Sequence, residues 1–532
     1  MRAWRFGIAA LAVAALVGCA LAAQVPAPVR GSISGRIVSA ATGRPIPGAR
    51  ATISVADYAL GAVADADGAF RVDAREPGRY RVGGSAPGYR TRQFDEQPEI
   101  GATLVMVKDG QHVRDINIAL HRGGTIAGVV TDDLKDPFVS GSVRAFAKRV
   151  QYGNVHFQSA GETKTDDLGS YRLTGLEPGE YIIGAVDSGV LTLTPSFVSA
   201  TTATTIALTE DSERTGVNVQ LRAVKPGAVE GTVTGPGAGS PRLVVQLVPN
   251  PSVANMSSFA AQVTAGRFGF RDVPAGRYNL VVGRLNTETP FAWTLTPVVV
   301  APGRTTQVRA VVAAEPHLSG TVESVGLRQL TITLTPISST GAAASSISVR
   351  AAAEGPFSLG AVPPGQYYLT AGFSEQADVL LPVKRPRLVD PGVHRLIGTV
   401  LVNGEDVSDR VFVVAPGKSI ENIRVAVTET AAQITGTVLD AAGKPTTAGA
   451  VVVFPSDPRE WTVVSRRIRV TRAGTDGVYH APLLPPGRYR VAHVTSLAPG
   501  QLWDPAFLKT LSSAREIEAP AGGVATVELR LK

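Results

Sequence analysis

The sequence predicts an all-β protein, a tandem array of about five Greek-key β-sandwich domains after a signal peptide. Three observations predict it. A Gly-x-aromatic motif followed by Gly-x-Tyr recurs five times with one internal spacing. A glycine set in an alternating apolar run precedes each copy. After the leader, no stretch of ten or more residues keeps an uninterrupted 3.6-residue apolar period, so short strands rather than helices carry the chain.

The leader comes first in chain order. Arg2 and Arg5 form a positive region, and Phe6 to Val17 an apolar one too short to anchor permanently in a bilayer. Residues 1–23 read as a signal peptide and 24–31 as a linker. Ala20 and Ala22 offer a cleavage site, while Leu16-Val17-Gly18-Cys19 matches a bacterial lipobox in which Cys19 would be lipidated. Both readings stand, and both export the protein to the periplasm, the outer membrane surface or the exterior. Contact with a membrane is expected only through that N-terminal lipid. The C-terminal Glu528-Leu529-Arg530-Leu531-Lys532 carries no sortase-type tail.

The repeats set the domain plan. Their markers are Gly68, Phe70, Gly78 and Tyr80; Gly169, Tyr171, Gly179 and Tyr181; Gly266, Phe268, Gly276 and Tyr278; Gly355, Phe357, Gly365 and Tyr367; and Gly477, Tyr479, Gly487 and Tyr489. First glycine and last tyrosine are always twelve residues apart. The preceding glycines are Gly35, Gly128, Gly231, Gly320 and Gly436, and alternating strands such as Asp115 to Leu120 close each unit. The expected domains are 32–121, 122–223, 224–313, 314–429 and 430–532. Within the motif, Glu76-Pro77-Gly78-Arg79 and its counterparts suggest a type II turn, with proline presetting φ and glycine supplying a positive one. The motif therefore reads as a β-hairpin, with its tyrosine on the inward face of the second strand.

Gly35-Arg36-Ile37-Val38, Gly43-Arg44-Pro45-Ile46-Pro47-Gly48-Ala49, Asp65-Ala66-Asp67-Gly68-Ala69-Phe70, Pro77-Gly78-Arg79-Tyr80-Arg81-Val82 and Ala86-Pro87-Gly88-Tyr89 follow in order. That series resembles the carboxypeptidase regulatory-like domain, a transthyretin-like sandwich. The fifth unit is nearly as close and the second matches well, while the third and fourth keep mainly the turn and the preceding glycine. The resemblance implies fold and an accessory role in secreted proteins. Carbohydrate binding follows only by analogy with starch-binding-type domains.

Composition narrows the chemistry. The chain has 532 residues, a formal charge of +8 and one cysteine. A disulfide framework and a cysteine-rich zinc fold are excluded, since each needs two thiols. Arginine outnumbers lysine 42 to 10 but is scattered, without the basic stripe and stacking aromatics of a nucleic-acid binder. None of the seven histidines is followed three residues later by glutamate, so the zinc pair of true metallocarboxypeptidases is missing. No nucleophile elbow or phosphate loop is present. No enzyme activity and no cofactor are expected. His480 and His493 are the weak metal candidates, on strands flanking the last turn, and Asp65, Asp67 and Asp166 read as turn formers rather than calcium ligands.

Sugar recognition uses exposed rings beside directional polar groups. Of the three tryptophans after the leader, Trp461 and Trp503 lie in the fifth unit, next to Arg459, Glu460 and Asp504. These five form the candidate ligand site, against a plain alternative in which both rings anchor long loops onto the sandwich. The expected protein is a spacer or adhesin that binds a polysaccharide or an envelope protein. The alternatives are a purely structural envelope assembly role and an accessory role in a secreted peptidase system. Oligomeric state is left open.

Overall fold

A computed structural model describes residues 31–531 except 56–57, 133, 152–153, 187–204, 222–225, 237, 239–242, 250–258, 274, 285–293, 313–315, 324–328, 338–345, 353, 361, 374–395 and 429. Cys19 and Trp293 lie outside the described residues. Strands are by far the main regular structure of the described residues, in ten sheets that pair off along the sequence into five sandwiches.

Every unit is built on the same plan. An opening strand (Ser32–Ser39, Gly124–Thr131, Gly227–Thr234, Leu318–Glu323 or Ala432–Leu439) pairs antiparallel with the strand carrying the Gly-x-aromatic residue. On its other side it pairs parallel with the closing strand. The second sheet centres on Arg50–Val55, Ser142–Gln151, Leu243–Pro249, Gln329–Pro336 or Ala450–Pro455, each antiparallel to the strand that begins at the Gly-x-Tyr glycine. The fourth unit adds Leu396–Val402 beside its closing strand Ile420–Thr428.

The hairpin expected at the motif does not form. Ala69–Asp73 pairs with the opening strand, whereas Gly78–Ser85 pairs with Arg50–Val55 in the facing sheet. The same separation holds in the other four units, so the Pro-Gly segment is an arch between sheets. Its glycine is not the left-handed residue of a type II turn either: Gly78, Gly276 and Gly365 do not take a positive φ, and Gly179 and Gly487 sit at 150° and 147°, far from the about +80° that turn requires. What the motif builds is a tyrosine corner. Tyr80, Tyr181, Tyr367 and Tyr489 each donate their hydroxyl to the carbonyl four residues back, at 2.6, 2.6, 2.8 and 2.5 Å. The buried ring fills the core while its one polar atom ties down the arch. Tyr278 is likewise buried.

Removing that tie has a measurable cost. Tyr367→Phe leaves the Pro363 carbonyl without its donor in a buried position, a loss of about 1 kcal/mol. Amide exchange along Gly365–Phe373 is expected to accelerate several-fold, with the fold retained. Unchanged exchange would show that the corner is packing alone.

The two sequence markers, far apart in the chain, meet across the strands. In register, Gly35 faces Phe70, Gly128 faces Tyr171, Gly231 faces Phe268, Gly320 faces Phe357 and Gly436 faces Tyr479. The opening glycine is required because the closing strand comes too near for any side chain. A Cβ at these five positions would lie 2.0, 2.0, 2.2, 1.9 and 1.7 Å from the carbonyl oxygen of Ile116, Val217, Val308, Ile423 or Val527. The facing ring covers the glycine, as aromatic residues do for glycines in sheets. Where it is tyrosine, its hydroxyl also donates to that carbonyl: Tyr171 to Val217 at 2.6 Å and Tyr479 to Val527 at 2.8 Å.

The sandwiches also meet one another out of chain order. Domain 5 touches domains 1, 2 and 4. Arg472 and Asp476 reach Asp95 and Arg79 of the first domain. Gly500 abuts Val150 of the second, where a Cβ would stand 2.7 Å from Val150 Cγ1. Asp409 of the fourth receives Arg466 at 3.1 Å and accepts the Arg466 backbone N–H at 2.7 Å. Domains 1 and 2 are joined by Arg90–Glu177 at 2.5 Å, by Arg92–Glu210, and by His121 Nδ1 with Asp211 at 2.7 Å. The first and fifth sandwiches are therefore in contact, and the array folds back on itself.

Candidate functional site

Domain 5 differs from the others on the outer face of its second sheet. Ala450–Pro455 is buried at every position, because Val451 and Val453 enter the sandwich core while Ala450, Val452 and Phe454 enter a second apolar cluster outside it. Two insertions cover that face. The first is opened by a 3-10 turn, Pro458–Glu460, capped by the Asp457 carboxylate. The second holds another 3-10 turn, Gln501–Trp503, and a helix, Pro505–Thr510.

These insertions decide the fate of the five candidate site residues. Trp461 is 8% exposed, its ring edge-on to Phe454 at 5.7 Å and its indole N–H donating to Pro455 O at 2.8 Å. It offers no face to a sugar. Trp503 is half-buried and packs against the same cluster. Asp504 caps the helix, accepting from the Ala506 N–H at 2.9 Å. Arg459 points to solvent and forks onto Asp457 at 2.6 to 3.1 Å. Only Glu460 is left facing a concavity.

That concavity is a cleft of about 430 Å³ lined by Ser456, Asp457, Glu460, Arg467, Pro486, Gly487 and Arg488. No aromatic ring lines it. Arg467 crosses its floor: Nη1 donates to Pro486 O at 3.1 Å and to the Tyr489 hydroxyl at 3.3 Å. Its Nε stands 3.5 Å from Glu460 and 3.6 Å from Asp409 without hydrogen-bond geometry to either. The Ser456 hydroxyl is also buried without a partner. Both atoms are sealed from solvent, and a buried donor left without an acceptor costs about 1–3 kcal/mol. Burial raises the Glu460 carboxyl against the pull of Arg467, with Asp409 and Asp457 adding to the rise. The Tyr489 hydroxyl behind the cleft is pushed up to about 12 by burial, so it stays a neutral donor. Ser456, Arg467 and Arg488 carry no sequence signal beyond the charged run from Arg466 to Arg472.

The metal candidates do not converge. His480 lies in the first sheet, its Nδ1 receiving the Gln433 amide at 3.0 Å. His493 lies in the second, its Nε2 at 2.8 Å from Ala448 O. The two strands do not pair, for the same reason that the motif is no hairpin. Among the described residues no group of three His, Cys, Asp or Glu side chains could hold a metal ion. Asp65 and Asp166 spend a carboxylate oxygen on turn amides at 2.7 to 3.0 Å. No helix among the described residues is long and apolar enough to cross a membrane.

The first unit carries the full set of markers: opening glycine under a ring, aspartate-capped turn, and tyrosine corner. Residues 32–121 match the family model of the carboxypeptidase regulatory-like domain. That match spans the first sandwich. Solved structures similar to larger parts of the chain include the Bacillus anthracis TIE protein, 14% identical over 74% of this chain and 69% of that one, at a TM-score of 0.15. A Streptococcal ancillary pilin is 10% identical over 57% of this chain and 99% of its own, at 0.19. GBS52, the minor pilin of Streptococcus agalactiae, is 12% identical over 36% and 95%, at 0.20. The comparison with curated proteins finds no match.

Proposed function

We propose that this is a non-catalytic, exported cell-envelope protein that binds a surface polysaccharide through the domain 5 cleft. The observation that supports it is the cleft lining, in which Ser456, Asp457, Glu460, Arg467 and Arg488 bring hydroxyl, carboxylate and guanidinium groups to one space. Donors and acceptors without an aromatic wall suit the hydroxyl-rich edge of a sugar better than its apolar face. Export rests on the leader. A structural assembly role is the second reading, favoured by the contacts of domain 5 with three other domains, which suit a rigid scaffold.

Retention of the chain from Gln24 to Lys532 on a panel of polysaccharides tests the first reading. Glu460→Ala with Arg488→Ala is expected to abolish retention while circular dichroism stays unchanged. Trp461→Ala is no test of binding, because its ring is part of the packing. Absence of retention on every glycan would leave the scaffold reading.

A further inference from the structure

The contact of domain 5 with domain 1 has a plug and a socket. The plug is the turn Gly474-Thr475-Asp476-Gly477, closed by the Gly474 N–H to Val478 O at 3.0 Å and the Gly477 N–H to Gly474 O at 2.7 Å. The socket is the outer edge of domain 1, where Arg79 stands opposite Met106 in register. There the Thr475 N–H donates to Leu104 O at 2.9 Å and the Met106 N–H to Thr475 Oγ1 at 3.0 Å. Arg79 completes the contact by donating to the Asp476 carboxylate at 2.8 Å.

Because every unit follows one plan, plug and socket have counterparts elsewhere. The repeat aligns Gly477 with Gly68, which makes Asp65-Ala66-Asp67-Gly68 of domain 1 a second plug. It is closed by the same two bonds, the Asp65 N–H to Ala69 O and the Gly68 N–H to Asp65 O, both at 3.0 Å, and Asp67 takes the place of Asp476. Domains 2 and 3 carry Leu168 and Ala265 where that acid stands, and in domain 4 the turn runs through residue 353, outside the described residues. A socket needs an arginine at the place of Arg79. Domains 2 and 4 have Glu180 and Gln366 there, and in domain 5 Arg488 lies opposite the acidic Glu518. Domain 3 has Arg277 opposite Val299, on the edge strand Thr294–Val300. Pro297 has no N–H to give the ladder, so its side of the strand faces outward. The Pro297 carbonyl and the Val299 N–H therefore point away from the sheet, as those of Leu104 and Met106 do.

Both counterparts are open. Asp67 and Arg277 are exposed, and neither side chain has an ion pair or hydrogen bond among the described residues. Val63, which aligns with Arg472, and Val299 are 68% and 65% exposed, apolar surface that docking would cover. We propose that turn 65–68 of one copy docks on the domain 3 edge of a second copy of this chain, with Asp67 on Arg277 and the Ala66 N–H on Pro297 O. Both faces lie on every copy, so association gives either a reciprocal pair or an open row. Ala66 lacks the hydroxyl of Thr475 and Val63 the fork of Arg472. The contact is therefore weaker than the one within the chain and depends on concentration.

Sedimentation velocity of the chain from Gln24 to Lys532 tests this. Its weight-average coefficient is expected to rise between about 10 µM and about 1 mM, the range of weak pairing. Asp67→Arg and Arg277→Asp, both at exposed positions, should each weaken association by about tenfold or more, since like charges then meet, while circular dichroism stays unchanged. Cysteines locate the contact, because the chain from Gln24 onward has none of its own. On oxidation with diamide, Ala66→Cys mixed with Val299→Cys should form a disulfide-linked pair faster than either variant does with itself. A coefficient that does not change with concentration, association that survives both charge reversals, or Val299→Cys pairing with itself as fast as with Ala66→Cys would each overturn the proposal.

Discussion

Replacing Arg472 by alanine is expected to release the first domain from the fifth. The guanidinium is nearly sealed from water and serves the Asp95 carboxylate together with the carbonyls of Asp95, Gly101, Thr447 and Gly449. Its loss strands several acceptors at once in a closed interface. The expected cost is about 2 kcal/mol, since the carbonyls lose their donor in the interface while the Asp95 carboxylate, 36% exposed, regains water. That is a shift of about 30-fold in the closing equilibrium, visible as a larger radius of gyration in solution scattering. Arg472→Lys should not rescue it, because an ammonium cannot span a carboxylate and several carbonyls as the planar fork does. An unchanged radius would show that Ile100, packed in the outer cluster of domain 5, and the Thr475 bonds to Leu104 and Met106 hold the domains without it.

Gly436→Ala is expected to unfold domain 5 under conditions where the parent chain stays folded. The new Cβ would stand 1.7 Å from Val527 O and 2.7 Å from the Tyr479 hydroxyl, and neither is the end of a flexible side chain free to swing away. The opening and closing strands must separate, taking the parallel pairs Gln433–Val524 and Val438–Leu529 with them. The cost is placed above about 3 kcal/mol, beyond ordinary overpacking. Two of the three tryptophans after the leader lie in this domain, so a lower urea midpoint by indole fluorescence reads the effect directly. Gly83→Ala is the control: its Cβ meets nothing nearer than Arg92 O at 3.4 Å, and the midpoint should not move.

Both predictions mark the line between what a chain spells out locally and what it does not. The repeated glycines and aromatics were legible because each unit must solve the same problem: a backbone contact too close for a side chain, and a core ring with one polar atom to satisfy. The spacing between markers was legible too, but its geometry was misread. Pro-Gly between two apolar strands gives the same pattern whether the chain turns back in one sheet or crosses to the other, and pairing partners such as Arg50–Val55 lie outside the motif. The candidate site was partly legible. Glu460 faces the cleft, yet Trp461 turns inward because the Asp457-capped turn aims its ring at Phe454. A clue lay in Ala450-Val451-Val452-Val453-Phe454, an unbroken apolar run that a one-sided strand would not need.

The sequence by itself determined the all-β class, the repeated unit and the residues at each unit's tightest points, since these depend on contacts within about a hundred residues and on backbone sterics shared by every copy. The tertiary structure alone decided which sheet each strand joins, that the outer face of domain 5 is covered, and that Asp95 meets Arg472 across nearly four hundred residues. Those contacts follow from the angles between successive domains. Such angles are sums of many small packing choices, and no local pattern of residues records them.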